Sequence, residues 1–111
     1  MPIFIFYKNN DIIYIDKRRI DNMKNNLTNK NIEEMEIIIK KNKLNDERAE
    51  WNDVEWGTYE QILEYLDNNN IQYEYETNHC IDNPGMDAES VTFAFIKDNK
   101  PYLFSFMEYS Y

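Results

Sequence analysis

Residues 58–76 read Thr58-Tyr59-Glu60-Gln61-Ile62-Leu63-Glu64-Tyr65-Leu66-Asp67-Asn68-Asn69-Asn70-Ile71-Gln72-Tyr73-Glu74-Tyr75-Glu76, and their hydrophobic period changes midway. Tyr59, Ile62, Leu63 and Leu66 recur at i, i+3, i+4 and i+7, the spacing of one buried helix face. Glu60, Glu64 and Asp67 fall together on the opposite face. Thr58 is expected to cap this helix, with Gln61 completing a capping box, and Asn68-Asn69-Asn70 to end it. Ile71, Tyr73 and Tyr75 then alternate with Gln72, Glu74 and Glu76, the period-two pattern of a half-buried strand with an acidic outer face.

Downstream, Asn78 to Ala88 reads as a loop around the turn signal Pro84-Gly85. Val91–Ile96 and Tyr102–Tyr109 read as strands joined at Asp98-Asn99-Lys100, and Pro101 stands at a strand start, where its missing donor does no harm. Upstream, 45–57 has weak periodicity and reads as a loop or ragged helical turn. A helix is expected from about Asn31 to Lys43. Asn31 and Glu34 make its capping box, Glu36 is placed to pair with Lys40, and Ile32, Met35, Ile38 and Ile39 form its buried stripe. Ile20, Met23 and Leu27 have the spacing of a short helix. Residues 3–7 and 12–15, dense in Ile, Phe and Tyr, form a hairpin around Asn9-Asn10 with Lys8 facing Asp11. Neither of these strands alternates cleanly, so one is expected at the centre of the sheet.

The order is ββαααβββ, or ββααβββ without the short helix. Segregated strands and helices predict an α+β fold, an antiparallel sheet of about five strands with two to three helices packed on one face. Residues 1–111 make a single domain, long enough for one core. Nine Tyr, six Phe and two Trp supply that core despite the charge and the many Asn.

The charge is segregated. From Leu44 to Ile96 there are thirteen acidic residues and one basic residue, Arg48, a local charge of −12 within a total of −9. Like charges on one compact surface repel, so a surface of this kind is shaped for a basic partner. Direct binding of nucleic acid or an anionic membrane is disfavoured by the same repulsion. The basic cluster Lys17-Arg18-Arg19 with Lys24 is short and diluted by Asp16 and Asp21. No apolar run approaches the roughly 20 residues of a membrane span, and the start lacks the basic flank of a secretory signal. A single cysteine, Cys80, fits a reducing compartment. The expected location is cytoplasmic.

No constellation carries catalysis. His79 and Cys80 are adjacent, so on an extended chain they point to opposite sides, and surrounding carboxylates favour the thiol over the thiolate. One His and one Cys are too few for structural zinc. Asp82, Asn83, Asp87 and Glu89 lack calcium-loop spacing and are interrupted by Pro84. Two glycines cannot build a phosphate cradle. The chain is expected not to be an enzyme and to need no metal or cofactor. The candidate residues are instead partner-binding: Glu47, Glu50, Trp51, Asp53, Glu55, Glu60, Glu64, Asp67, Asp82 and Asp87. They combine carboxylates for steering with an aromatic anchor. Trp51, between Glu50 and Asn52-Asp53, is the better anchor. Trp56, beside Gly57 and the helix start, reads as structural.

In size, acidity, α+β order, single cysteine and the acidic–aromatic stretch Glu47–Glu60, the chain resembles the small acidic immunity proteins of bacterial polymorphic and contact-dependent growth inhibition toxin systems. That resemblance implies a cytoplasmic inhibitor that binds one cognate, basic toxin domain such as a nuclease. The competing expectation is a phage-encoded anti-defence protein, an anti-CRISPR or anti-restriction mimic of nucleic acid, whose carboxylates would be spaced along an extended surface.

Overall fold

The computed structural model describes the backbone of residues 3–8, 11–16, 23, 26–83 and 86–110, and the side chains of 23, 26–79 and 87–110. Its elements are β1 (Ile3–Lys8), β2 (Asp11–Asp16), α1 (Asn29–Lys41), β3 (Asp53–Glu55), α2 (Thr58–Asn68), β4 (Glu74–Asn83), β5 (Met86–Lys97) and β6 (Lys100–Ser110). The class is α+β, but among the described residues the order is ββαβαβββ. Among the described residues there are two sheets rather than one of five strands. β1 and β2 pair antiparallel by themselves, with Lys8 opposite Asp11 as their sequence requires. Neither is central to the main sheet. That sheet has four strands in the order β3-β6-β5-β4.

The main sheet is mixed, not antiparallel. β5 runs against both β4 and β6, and β3 lies parallel to β6 through Asp53↔Met107, Val54↔Glu108 and Glu55↔Tyr109. β3, β4 and β6 therefore share a direction, and α2 is the crossover that parallel strands β3 and β4 need between them. Residues 45–57 contain this extra strand because Val54, wholly buried, is a single apolar anchor. Three residues are too few for a period to register.

Both helices lie on one face. Val91, Phe93 and Phe95 of β5 and their cross-strand partners Phe106, Phe104 and Tyr102 of β6 point the same way. They pack against Met35 and Ile39 of α1 and Ile62 and Leu66 of α2. Phe93 is the hub, its ring centroid within 5.7–6.3 Å of Tyr59, Tyr73, Tyr75, Phe95 and Phe106. Asn31 Nδ2 donates to the Tyr65 hydroxyl (3.1 Å), and the Asn42 and Gln61 amides bond reciprocally (3.0 and 3.2 Å). The start of α1 thus meets the end of α2, and the helices are antiparallel.

The helix ends depart from expectation in instructive ways. α1 starts two residues early because Thr28 is the cap. Its hydroxyl accepts from Asn31 N–H (3.1 Å), and Asn31 Oδ1 accepts from Thr28 N–H (2.9 Å), so Asn31 is the third residue of the box rather than its first. Lys30, not Lys40, has the i,i+4 partner, at 4.0 Å from Glu34. α2 ends in a Schellman motif with Asn70 left-handed (φ 54°): Ile71 N–H donates to Leu66 C=O (3.0 Å) and Asn70 N–H to Asp67 C=O (3.2 Å). Ile71 therefore closes the helix, and β4 begins at Glu74. Asp98 and Asn99, both at positive φ (53° and 64°), make the two-residue turn between β5 and β6. Of the short helix expected near residue 20, only the buried Met23 and Leu27 belong to the described residues. Ile20 and the basic cluster 17–19 and 24 lie outside them.

Candidate partner-binding site

The segment after α1 is fixed against the sheet by its backbone. Leu44 N–H donates to Asp53 C=O (2.9 Å) and Glu55 N–H to Asn42 C=O (3.0 Å), so β3 is covered on its outer edge. On its inner side Met107 N–H donates to Asn52 C=O (2.9 Å), and Trp56 N–H to Tyr109 C=O (3.1 Å). Between Leu44 and β3 the chain turns on local carboxylates. Asp46 Oδ1 accepts from Arg48 N–H and Asp53 Oδ2 from Glu50 N–H, both at 2.9 Å. Asp53 is accordingly half-buried and holds the turn.

Glu47, Glu50, Trp51, Glu55, Glu60, Glu64 and Asp67 are all exposed. Glu60, Glu64 and Asp67 form a row down the outer face of α2, and among the described residues none of these carboxylates is in an ion pair. Asp67 accepts a hydrogen bond from the Tyr73 hydroxyl (3.1 Å) at the far end of α2. Trp51 is 56% exposed and Trp56 is 48% exposed. The assignment of Trp56 to a structural role is therefore corrected: its backbone is structural and its indole faces solvent.

The expected 78–88 loop is also corrected. β4 and β5 continue as a paired hairpin through His79↔Glu89, Cys80↔Ala88 and Ile81↔Asp87, and the register slips between Ile81 and Asn83, where Asp82 sits. Pro84-Gly85 lies outside the described residues. Asp87 is exposed, with one carboxylate oxygen 3.7 Å from His79 Nε2. Among the described residues no group of three or more His, Cys, Asp or Glu is placed to hold a metal ion.

A residue the sequence pattern passed over organises this end of the molecule. Glu108 is 4% exposed on the core face of β6. It follows Phe104 and Phe106 in strict alternation, which is the signal for an inward-facing carboxylate. Gly57, left-handed at φ 100°, caps α2 without a side chain, and Thr58 is the first helical residue, its hydroxyl donating to Glu55 C=O (2.7 Å). Gln61 is engaged with Asn42, so no capping box exists. Glu108 supplies the missing acceptor by taking the Tyr59 N–H, a carboxylate at the positive end of the helix dipole. Burial pushes its carboxyl above the ordinary range. The Tyr59 and Gly57 N–H groups pull it partly back, and Glu89 and Glu60 push it up again.

Because Glu89 is the cross-strand neighbour of Glu108, the hairpin carrying Asp87 and the start of α2 carrying Glu60 lie at the same end of the sheet, with Glu55 and Trp56. Asp67 lies at the opposite end, roughly 10 Å further along α2 from Glu60. Glu47, Glu50 and Trp51 stand at the entry to β3. The candidates thus form a band along the β3 edge and α2, plus the β4–β5 hairpin. The acidic outer face expected for residues 72–76 is only partly exposed: Gln72 is exposed, Glu74 and Glu76 are half-buried, and one Glu76 oxygen has no hydrogen-bond partner among the described residues.

No family model, curated protein or solved structure matches this chain. Among the described residues no helix is long and apolar enough to cross a membrane.

Proposed function

We propose that the protein is an immunity-type inhibitor that binds and neutralises a basic toxin domain, such as a nuclease, through the band formed by residues 47–67. The observation that carries this reading is a run of exposed carboxylates, Glu47, Glu50, Glu55, Glu60 and Glu64, without ion pairs among the described residues and interrupted by two half-exposed tryptophans. A surface of this composition raises the encounter rate with a cationic protein and supplies aromatic anchors for the bound state. Chemistry by the chain itself plays no part in this reading, and it acts in the cytoplasm, where it meets the incoming toxin.

The test is co-expression. A basic domain recovered by affinity capture from the native host should arrest growth when expressed alone, and this protein should restore it. Changing Glu50, Glu60 and Glu64 together to Lys should abolish rescue and slow association most at low salt. Asp53 is left out of that set because its carboxylate holds the turn. Rescue by the charge-reversed protein, at unchanged affinity, would sink the proposal. The alternative, a phage-encoded mimic of nucleic acid, is favoured by one feature, the row Glu60, Glu64 and Asp67 at intervals of roughly 4.5–6 Å along α2. Capture of a defence nuclease whose DNA or RNA competes for the same site would support it.

A further inference from the structure

The corner between β3 and α2, residues 55–59, is fastened to β6 through a backbone carbonyl and a buried carboxylate. Trp56 N–H donates to Tyr109 C=O (3.1 Å), and the Thr58 hydroxyl donates to Glu55 C=O within the corner itself (2.7 Å). The Gly57 and Tyr59 N–H groups both donate to the Glu108 carboxylate. Gly57 is left-handed at φ 100°, and a Cβ added there would meet nothing within 4 Å. The corner therefore contains a conformationally free residue with open space beside it.

Glu108 is a costly fastening. It is 4% exposed, and burial penalises the ionised form of a carboxyl group. The groups that face it add negative charge. Glu89 stands directly across on β5, and Glu60 lies in the first turn of α2. Glu55 follows Val54, the partner of Glu108 on β3. Beyond Glu89, β4 contributes His79, which is 3.7 Å from Asp87, and Tyr75, whose ring packs on that of Tyr59. Lys43, bridged to the far side of Val54, is exposed and two strand spacings away, about 10 Å. Two N–H donors thus oppose burial and the nearby carboxylates, and the balance leaves the Glu108 carboxyl above the ordinary range.

We propose that Glu108 is a proton-operated latch on the β3–α2 corner: protonated, it stays inside and holds the corner on β6; ionised, it is drawn to water and lets residues 56–59 open. In the open corner the carboxylate is hydrated and titrates in the ordinary range. The closed corner thus binds the proton more readily than the open one. Opening becomes easier as pH rises from the ordinary glutamate range through the raised value. The corner carries Glu55, Trp56 and Glu60, so the latch governs how firmly that part of the band is presented. It needs no partner, and it stands or falls separately from the functional reading above.

The test is native-state amide hydrogen exchange on the full chain, followed by NMR from about pH 4 to about pH 8. Protection at Trp56 and Tyr59, corrected for intrinsic exchange, should fall by about three- to tenfold across the titration of Glu108. It should also lie at least about tenfold below that of the β5 ladder and be unmoved by low urea, the marks of local rather than global opening. Glu108→Gln keeps an acceptor without the charge and should hold protection flat over the same range. Glu89→Gln, at a half-buried position, should shrink the fall and start it at lower pH, and His79→Gln should leave it in place. Corner protection equal to that of β5, protection indifferent to pH, an unaltered fall in Glu108→Gln, or a fall abolished by His79→Gln would each overturn the inference. Should Glu108→Gln not fold, an unaltered fall in Glu89→Gln would overturn it instead.

Discussion

At the scale of single residues, Glu108 is the most informative side chain. It is a buried carboxylate whose hydrogen bonds to the α2 N-terminus offset part of its desolvation, and Glu89 and Glu60 add repulsion. With its folded pKa raised, the native state binds its proton more readily than the unfolded chain does. Its ionisation therefore opposes folding, and that opposition grows as pH rises from the ordinary glutamate range through the raised value. Glu108→Gln keeps an acceptor for Tyr59 N–H and removes the charge. Its stability relative to the native chain should rise across that window and then level off, as read by urea denaturation at several pH values. Glu108→Ala removes the acceptor as well and should cost about 1–2 kcal/mol at neutral pH. Thr28 makes the corresponding case at α1. Thr28→Ala should cost about 1 kcal/mol, whereas Glu34→Gln, which loses a long ion pair to the exposed Lys30 but keeps an amide oxygen to accept from the Tyr65 hydroxyl, should cost a few tenths at most. Thermal denaturation of the two variants separates these outcomes.

At the scale of elements, β3 carries the least sequence signal and the most positional consequence. Three residues, one of them buried, hold the segment bearing Glu50, Trp51, Glu55 and Trp56 against β6. Replacing Val54 with Asp puts an unpaired charge at a wholly buried site, which is expensive. Amide hydrogen exchange should then show loss of protection at Leu44, Asp53, Glu55 and Trp56, with the β4–β5 ladder less affected. Equal loss throughout the sheet would mean that β3 and the sheet unfold as one unit. The other end of the sheet is built differently, since β4 and β5 extend as a long hairpin past the residues that alternate cleanly. Polar residues such as Asn78, His79 and Glu89 occupy strand positions there because backbone pairing, not burial, holds them.

At the scale of the whole molecule, the aromatic core and the surface charge oppose each other. Phe93→Ala should cost about 3–5 kcal/mol, since the ring touches five others and its loss leaves a cavity. That is a large part of the stability expected of a domain this size, and guanidinium denaturation will read it. The net charge of −9 acts in the other direction through self-repulsion. Added sodium chloride should therefore raise the melting temperature until the charges are screened, at roughly 10 Å Debye length near 0.1 M. A melting temperature that falls on salt addition would show that internal ion pairs outweigh the repulsion.

The sequence by itself determined the α+β class, the two principal helices with their buried stripes, the β1–β2 register at Lys8–Asp11, and the strands of the 91–109 hairpin. Each of these rests on a period of 3.6 or 2 sustained over several residues, or on turn chemistry with a local cause. It also placed the exposed carboxylates Glu60, Glu64 and Asp67 on one helix face, because that face is the complement of the buried one. Only the tertiary structure decided the rest. β3 exists because β6 offers a partner. Thr58 yields its capping role to Glu108, fifty residues away, because the sheet brings that carboxylate to the helix end. Trp56 turns its indole to solvent although its N–H is tied to Tyr109 C=O across the sheet edge. These outcomes depend on which groups meet across the fold, and pairings between distant residues leave no period in the chain.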